Sequence, residues 1–234
     1  MIEPQIDVLD NQSVEQHLKP LAVFDLDNTL LDGESDVIWG NFLLSRKLVK
    51  PDFMKKIQQY LVEYADGTVD YFVYGKFLLM PVLGLSSHEL QLLMDDFIKT
   101  FPPIIRPQLT QRIEYHRHHG FAILLVTATV SLLAKPIASL LGIEHLICTI
   151  VEMQNGTPVG GLADIPALGQ EKVTKVKTWI KSQPVTLEGS WGYSDSYTDL
   201  PILQLVQNPV AVSPDEKLRE YAIENGWQIM EGNG

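Results

Sequence analysis

The sequence is poor in cysteine, in basic residues and in long hydrophobic runs, and each shortage excludes a class of protein. Its 234 residues include one cysteine, Cys148, so an intramolecular disulfide and a disulfide-stapled secreted scaffold are excluded. Eighteen basic residues against 29 acidic ones give a net charge of −11, and we expect no nucleic-acid partner. No apolar run approaches the roughly 18 residues of a membrane span, and residues 1–20 are polar. We therefore predict a cytoplasmic protein with no membrane partner and an N-terminal extension at 1–20.

What the chain does have is an alternation of short apolar runs with segments of helical period. The runs predict strands at residues 21–25, 121–126, 146–151, 190–194 and 209–212. Such alternation favours an α/β fold, a Rossmann-like parallel sheet core with helices on both faces. Within VEMQNGTPVGG, Asn155-Gly156 lies between alternating residues and predicts a hairpin on the edge of that sheet.

Residues 26–120 contain no convincing strand, but Pro and Gly separate several amphipathic segments there. The segments predict helices at 37–48, 51–64, 69–80, 87–100 and 107–118. Since the last of these leads straight into the second strand, we predict an α/β core of 21–32 and 106–234 and an inserted helical domain of 33–105. We expect the aromatic residues of the insertion mainly to form its core, with one or two lining a substrate pocket: Trp39, Phe42, Tyr60, Tyr64, Tyr71, Phe72 and Tyr74.

Polar side chains follow the predicted strands at their carboxyl ends, where ligands bind in open α/β sheets. The set comprises Asp25, Asp27 and Thr29, then Thr127, then Lys172 at a helix start, then Asp195 and Asp199. Because residues i and i+2 of a strand share a face, the Asp25 and Asp27 carboxylates are expected to project together. Two like charges so placed are costly without a cation.

Carboxylate oxygens without a His or Cys cluster suit Mg²⁺, which takes one or two protein carboxylates together with water and phosphate oxygens. A cation between Asp25 and Asp195 would make the paired charges tolerable. The Thr127 hydroxyl and the Lys172 ammonium would then hold the non-bridging oxygens of a phosphoryl group. The pattern predicts phosphoryl transfer from a small-molecule phosphomonoester to a carboxylate.

At this point the residues resemble a known family. DLDNT at 25–29, the hydrophobic run ending in Thr127, Gly169-x-x-Lys172 and SDSYTD at 194–199 are similar, in order, to the four motifs of haloacid dehalogenase (HAD) superfamily phosphatases. The resemblance implies that Asp25 is the nucleophile, forming an aspartyl-phosphate, and that Asp27 is the general acid and then the base. It implies phosphate binding by Thr127 and Lys172, Mg²⁺ binding by Asp25, the Asp27 carbonyl and Asp195, and supporting positions at Thr29 and Asp199.

The insertion falls between the first and second motifs, and so resembles the C1 cap of the phosphoserine-phosphatase-like branch, subfamily IB. In that branch the acidic residue seven places after the second aspartate contacts the substrate's amino group, which implies that role for Glu34. The segments DNTLLDGESDVIWG and YSDSYTDLPIL are similar to those of a bacterial subgroup that includes histidinol-phosphate phosphatases. Histidinol phosphate is the narrowest substrate hypothesis and phosphoserine the alternative, although Ser194 and Val130 depart from the usual glycine and asparagine of the respective motifs.

Other interpretations stay open from the residues alone. Lys175 and Lys177 compete with Lys172, and Asp199 can simply cap a helix. Acidic residues such as Glu34 and Asp36 are ordinary in a first helical turn. A non-enzymatic phospho-acceptor switch also uses Asp, Thr and Lys at strand ends, but it needs no second aspartate. A phosphotransferase or mutase would pass the phosphoryl group to an alcohol instead of water. The sequence does not indicate an oligomeric state.

Overall fold

The central feature of the protein is a parallel β-sheet, seen in a computed structural model that describes residues 18–231. In chain order the strands are β1 (Lys19–Phe24), β2 (Ala122–Val130), β3 (His145–Thr149), β4 (Val151–Gln154), β5 (Thr157–Leu162), β6 (Val185–Ser194), β7 (Asn208–Val212) and β8 (Gln228–Met230). Six of them form one sheet in the order β3-β2-β1-β6-β7-β8, and every neighbouring pair is parallel. The strand order therefore reverses at β1, which puts the expected ligand crevice beyond its carboxyl end.

Helices cover both faces of this sheet, as predicted. They are α1 (Ser35–Ser45), α2 (Pro51–Ala65), α3 (Tyr71–Leu79), α4 (Ser87–Ile98), α5 (Pro107–His118), α6 (Ser131–Leu140), α7 (Gln170–Ile180), α8 (Leu200–Leu203) and α9 (Glu216–Glu224). Alternate residues of β1 enter different cores, because side chains of a strand point to opposite faces. Phe24 packs in the larger cluster with the inserted helices, whereas Val23 packs with Val173 and Val176 of α7. The Rossmann-like α/β fold is confirmed.

The strands at the centre of the sheet are apolar because helices cover them on both sides. All nine residues of β2, AILLVTATV, are buried, and the last four residues of β1 are buried too. Parallel strands covered on both faces read as continuous hydrophobic runs rather than as alternating ones. This is why the sequence revealed β1 and β2 so clearly.

Helices α1 to α4 form the helical insertion between β1 and β2. Prolines at the start of α2 and α5 and a capping box between Ser86 and Glu89 at α4 fix where helices begin. An aromatic cluster fills the insertion, with Trp39 packed edge-on against Phe97 at 4.9 Å between ring centroids. Most of the predicted aromatic core is buried, but the prediction for Phe72 is wrong, since its side chain is 53% exposed.

The predicted hairpin is present but lies elsewhere than expected. Strands β4 and β5 form a separate two-stranded antiparallel sheet, so the prediction that they extend the edge of the main sheet is wrong. The reason is packing: Leu162 of β5 lies against Gly75 of α3, where an added Cβ would come within 3.0 Å of the leucine side chain. Glycine permits this close approach, and the hairpin consequently covers the helical insertion.

Other expectations about the chain have mixed outcomes. Strand β8 was not predicted, because it has three residues and none is fully buried. Cys148 is buried, as predicted. Within 18–231 no single helix is long and apolar enough to cross a membrane, and the pair at 71–82 and 87–98 meets that test only together, across a 103° bend. Residues 1–17, nearly all of the predicted extension, lie outside the described residues.

Candidate active site

A cavity of about 250 Å³ lies beyond the carboxyl ends of β1, β2 and β6, between the sheet and the helical insertion. The core contributes Asp25, Asp27, Thr127, Asp195, Asp199 and Lys217 to its lining, and the segment inserted after β1 contributes Glu34, Asp36, Tyr64, Tyr71 and Tyr74. Six of the eight residues predicted for the site line this cavity. The other two, Thr29 and Lys172, contact residues that line it.

The turn after β1 presents the two aspartates of DLDNT to the cavity. The Asp25 amide still donates to the Tyr193 carbonyl at 2.9 Å, so this residue is held by the sheet. Residues 26–30 then form a wide turn closed by the Leu31 amide on the Leu26 carbonyl, with Asn28 at φ +52°. Asparagine tolerates this left-handed conformation better than most residues. The same Asn28 donates its side-chain amide to Glu34 at 2.5 Å.

One lysine joins two carboxylates in a group that we call the core triad: Asp25, Lys172 and Asp199. The Lys172 ammonium lies 2.8 Å from Asp25 Oδ1 and 2.7 Å from both oxygens of Asp199. The Lys172 side chain is 2% exposed and that of Asp199 is 3% exposed. Burial alone would lower the pKa of Lys172, but the two carboxylates raise it well above its usual range, so the lysine is charged.

Helix α7 delivers Lys172 because of the glycine before it. Gly169 precedes the helix with φ +51° and ψ −124°, a conformation that is strained for other residues. On the opposite side of the triad the Ser194 hydroxyl donates to Asp199 Oδ2 at 2.9 Å. The serine that departs from the family's usual glycine therefore orients the carboxylate that holds Lys172. Lys177 is exposed on the same helix and Lys175 pairs with Asp164, so neither replaces Lys172.

Asp27 has its own set of partners, apart from the core triad. Its Oδ2 accepts a hydrogen bond from the Thr129 hydroxyl at 2.7 Å, and its Oδ1 accepts one from the Ser35 amide at 2.6 Å. Burial raises the pKa of Asp27 despite these hydrogen bonds. A carboxyl that is held in place and more readily protonated than usual is suited to passing a proton to and from a bound group.

Thr127 lies beside this carboxyl at the end of β2 and is 1% exposed. Its hydroxyl donates to Thr129 Oγ1 at 3.0 Å and accepts from the Thr129 amide at 3.1 Å. The chain Thr127–Thr129–Asp27 thus fixes the geometry of one side of the cavity.

Asp195 faces the core triad from the end of β6. The Thr29 hydroxyl donates to its Oδ1 at 3.1 Å. Burial, followed by the negative charge of Asp199, raises the pKa of Asp195 to about 7. Burial and the charges of Asp199 and Asp195 likewise raise the pKa of Asp25, against the lowering effect of Lys172. These carboxylates repel one another and have too little positive charge nearby.

The donor set fits a hard divalent cation. Asp25 and Asp199 share the ammonium of Lys172, and additional positive charge beside Asp25 and Asp195 would relieve both burial and repulsion. No group of three or more His, Cys, Asp or Glu side chains within 18–231 is arranged to hold a metal. Mg²⁺ accepts one or two protein carboxylates when water and phosphate oxygens complete its shell, and Asp25 and Asp195 would supply two.

The residues after the turn form a second acidic group, here named the cap wall: Glu34, Asp36, Tyr71 and Tyr74. Asp36 is 6% exposed, and its Oδ2 accepts from the Tyr74 hydroxyl at 2.7 Å. Burial and the nearby charge of Asp27 raise the pKa of Asp36 to about 7. Burial and the charges of Asp27 and Asp36 raise the pKa of Glu34 to about 9. Glu34 thus lies in the cavity as predicted, beside a second carboxylate.

Sequence reasoning committed to no role for several residues that this site uses. Thr129 and Ser35 hold Asp27, Ser194 holds Asp199, Asn28 holds Glu34, and Asp36 adds a buried acid. The sequence could have indicated a site position for Thr129, because it lies two residues after Thr127 on the same face of a strand. The contact between Asp36 and Tyr74 joins residues 38 positions apart and depends on how the insertion folds.

Comparison with known proteins agrees with this geometry. The haloacid dehalogenase-like hydrolase family model matches residues 22–204. A histidinol-phosphatase of Neisseria meningitidis serogroup C is 32% identical over 219 residues, which cover 91% of this chain and 99% of that protein. Phosphoserine phosphatase SerB1 of Mycobacterium tuberculosis is 30% identical over 92% of this chain and 71% of its own length.

Solved structures give the same result for the fold. A Bordetella pertussis protein of unknown function superposes with a TM-score of 0.82 at 31% identity, covering 92% of this chain and 99% of that one. A phospho-aspartyl intermediate analogue of phosphoserine phosphatase superposes with a TM-score of 0.67 at 14% identity, over 92% and 94% of the two chains. The second likeness shows the fold alone. Because the family model matches residues 22–204, this chain belongs to the haloacid dehalogenase-like hydrolases. Its named relatives in this enzyme family include phosphatases.

Proposed function

We propose that this protein is a magnesium-dependent phosphomonoesterase that hydrolyses a small, amine-bearing metabolite phosphate through an aspartyl-phosphate on Asp25. The observation that carries the proposal is the pair of aspartates with different partners at the end of β1. Burial raises the pKa of both carboxyls, but the ammonium of Lys172 opposes the rise at Asp25, whereas Asp27 is held by neutral hydrogen-bond donors. The first is suited to remain an anionic nucleophile and the second to carry a proton.

In the first step an oxygen of Asp25 attacks phosphorus and the bond from phosphorus to the leaving oxygen breaks. The Lys172 contact engages Oδ1 of Asp25, which leaves Oδ2 for the attack. Protonated Asp27 gives its proton to the departing alkoxide and becomes a carboxylate. The ammonium of Lys172 has three donors and makes hydrogen bonds to Asp25 and Asp199. A phosphate oxygen would accept from the same ammonium, with the Thr127 hydroxyl as a second donor.

In the second step Asp27 removes a proton from water, and the resulting hydroxide attacks phosphorus. The bond between phosphorus and Asp25 breaks, so inorganic phosphate leaves and both aspartates return to their initial states. Asp25, the Asp27 carbonyl and Asp195 would hold Mg²⁺, which supplies charge neutralisation for the phosphate when bound. Thr29 and Asp199 keep Asp195 and Lys172 in position.

We place the leaving group against the helical insertion, proposed as a cap of residues 33–105 that excludes water during transfer. Glu34 lies there to meet an amino group, and histidinol phosphate is the proposed substrate. The Neisseria relative supports this choice. Phosphoserine is the second candidate, supported by the Mycobacterium relative. Its carboxylate, however, would meet Glu34 and Asp36, and the described lining offers Lys217 as its sole lysine and contains no arginine. We also propose that the protein is cytoplasmic.

The test is phosphate release from histidinol phosphate, phosphoserine, phosphoethanolamine, a sugar phosphate and 4-nitrophenyl phosphate, each with Mg²⁺ and with a chelator. We expect Mg²⁺-dependent release, with the highest kcat/KM for histidinol phosphate. Adding acceptor alcohols and looking for new phosphate esters distinguishes hydrolysis from phosphotransfer. Release from none of the compounds, or release unaffected by the chelator, would overturn the proposal.

A further inference from the structure

Asp36 is a buried acid with one oxygen to which no described residue donates a hydrogen bond. Its Oδ2 accepts from Tyr74, but among the described residues its Oδ1 has no hydrogen-bond partner. Buried polar atoms in native proteins are nearly always paired, and an unpaired carboxylate oxygen is costly to bury. Asp36 nevertheless lines the cavity beside the catalytic aspartates. An acceptor kept unpaired there is suited to a donor that arrives with a ligand.

The neighbouring hydroxyls cannot supply that donor, because they are already committed. Tyr71 donates to the Ala128 carbonyl at 2.8 Å, and Tyr74 donates to Asp36 itself. The cap wall therefore presents two carboxylates and two tyrosine rings, with ring centroids of Tyr71 and Tyr74 5.7 Å apart. Acceptors beside aromatic faces suit flat or cationic nitrogen groups, which can donate N–H bonds and stack on a ring.

The two acids of the cap wall also differ in their partners. Glu34 takes the Asn28 amide, while Asp36 takes the Tyr74 hydroxyl, 38 residues away. They are separate acceptors anchored to different elements, and the charge of Asp36 contributes, after burial and the charge of Asp27, to the raised pKa of Glu34. A single ammonium has three N–H donors and can reach two carboxylates that lie together, as Lys172 does in the core triad. Acceptors held by different elements can instead be met by two separate nitrogens of one leaving group.

We propose that Asp36 is a specificity-determining residue that accepts a hydrogen bond from a second nitrogen of the leaving group. The preferred substrate is then a phosphomonoester of an alcohol that carries two basic nitrogens and no carboxylate. The inference rests on the proposed phosphatase function. Oδ1 is shielded in this structure, so the side chain presents it by rotating about its last torsion, which is soft for aspartate.

The test compares substrates that differ in nitrogen count, using Asp36→Asn. The asparagine carbonyl still accepts from Tyr74, but its amide repels an N–H donor. We expect the ratio of kcat/KM for histidinol phosphate to that for phosphoethanolamine to fall by about 10- to 100-fold, the loss typical of a hydrogen bond to a charged group. Asp52→Asn, the same change at an exposed position of α2, is the matched control and should leave the ratio unaltered.

A measurement on the wild-type enzyme avoids any folding defect of the variant. Histidinol and ethanolamine are compared as competitive inhibitors of 4-nitrophenyl phosphate hydrolysis, and histidinol is expected to bind about tenfold more tightly or better. Equal inhibition, or an Asp36→Asn variant that loses activity equally on every substrate, would show that Asp36 is only structural. Absence of phosphate release from all substrates in the wild type would instead refute the proposed function.

Discussion

The two acidic regions of the cavity handle buried charge in opposite ways. In the core triad the carboxylates of Asp25 and Asp199 share the ammonium of Lys172 at 2.7–2.8 Å. Among the described residues, the donors to the cap-wall carboxylates of Glu34 and Asp36 are neutral, namely the Asn28 amide and the Tyr74 hydroxyl. The chain thus supplies part of the countercharge in the core triad. In the cap wall we propose that the ligand supplies it.

The difference has an energetic basis. Removing a charge from water is expensive, and a nearby opposite charge offsets much of that cost only when hydrogen bonds are well formed. The core triad meets this condition in part, since Lys172 lowers the pKa of Asp25 while burial still raises it overall. In the cap wall burial raises the pKa of Glu34 to about 9 and that of Asp36 to about 7. Near neutral pH a cationic ligand would therefore favour their ionised forms.

The largest effect should come from removing the nucleophile of the core triad. Asp25→Asn keeps a similar shape and an acceptor for Lys172 but cannot form the aspartyl-phosphate. We expect kcat to fall by at least about a thousandfold on every substrate, measured by phosphate release. Asp66→Asn, at an exposed acid of the insertion, should retain wild-type activity. Full turnover by Asp25→Asn would show that the core triad does not perform the chemistry.

Changing Asp27 tests whether this residue, and not the core triad, transfers the proton. Asp27→Asn removes the proton carrier while Thr129 and Ser35 can still bind the side chain in part. General acid–base catalysis typically contributes about 10²- to 10⁴-fold, so kcat should fall by that much on an alkyl phosphate. The initial burst with 4-nitrophenyl phosphate should fall less, since nitrophenolate departs without a proton. Equal burst rates relative to wild type for both substrates would contradict the general-acid role.

A stability measurement tests whether the core triad depends on its lysine. Lys172→Met leaves two carboxylates buried without their ammonium, and removing one partner of a buried pair typically costs about 3–5 kcal/mol. We expect the free energy of unfolding to fall by about that amount in urea titrations at pH 7. Lys177→Met, at an exposed position of the same helix, should change it little. Indistinguishable stabilities of the two variants would mean that the triad contributes nothing net to the fold.

The smallest effect concerns His116, a buried ionisable group remote from both acidic regions. Its Nε2 lies 2.9 Å from the Tyr193 hydroxyl, and burial, with the charge of Arg112, lowers its pKa to about 4. Since the unfolded chain binds this proton near pH 6.5 and the folded chain does not, stability should decline as pH falls from 6.5 toward 4. His116→Phe should decline less over that range in urea titrations. Parallel pH profiles for variant and wild type would contradict the neutral, buried histidine.

Much of this organisation follows from local sequence rules. Continuous apolar runs marked β1 and β2, and the rule that ligands bind beyond the ends of parallel strands is enough to group Asp25, Thr127 and Asp195 in one site. Gly169, with φ +51°, precedes α7, and the lysine three residues later is the one that the structure brings to Asp25.

The parts that could not be predicted depend on contacts distant in sequence. The β4–β5 hairpin lies apart from the main sheet because Leu162 packs on Gly75 of the insertion. The local sequence of α5 gives no sign that His116 is buried, but the fold places its Nε2 2.9 Å from the Tyr193 hydroxyl. Asp36 looked like an ordinary acid of a first helical turn until the insertion brought Tyr74 to it. Local sequence patterns do not predict contacts between residues that lie so far apart in the chain.

The most direct test of the central claim is to locate the phosphoryl group on the protein. Asp27→Asn is mixed with 4-nitrophenyl phosphate and Mg²⁺, quenched in acid within one turnover, digested and mapped by mass spectrometry. The aryl leaving group needs no general acid, whereas breakdown of the intermediate lacks its base, so the intermediate should accumulate. We predict one added phosphoryl group on Asp25 and none when Asp25→Asn is also present. Nitrophenol release without any phosphorylated Asp25 would contradict the account.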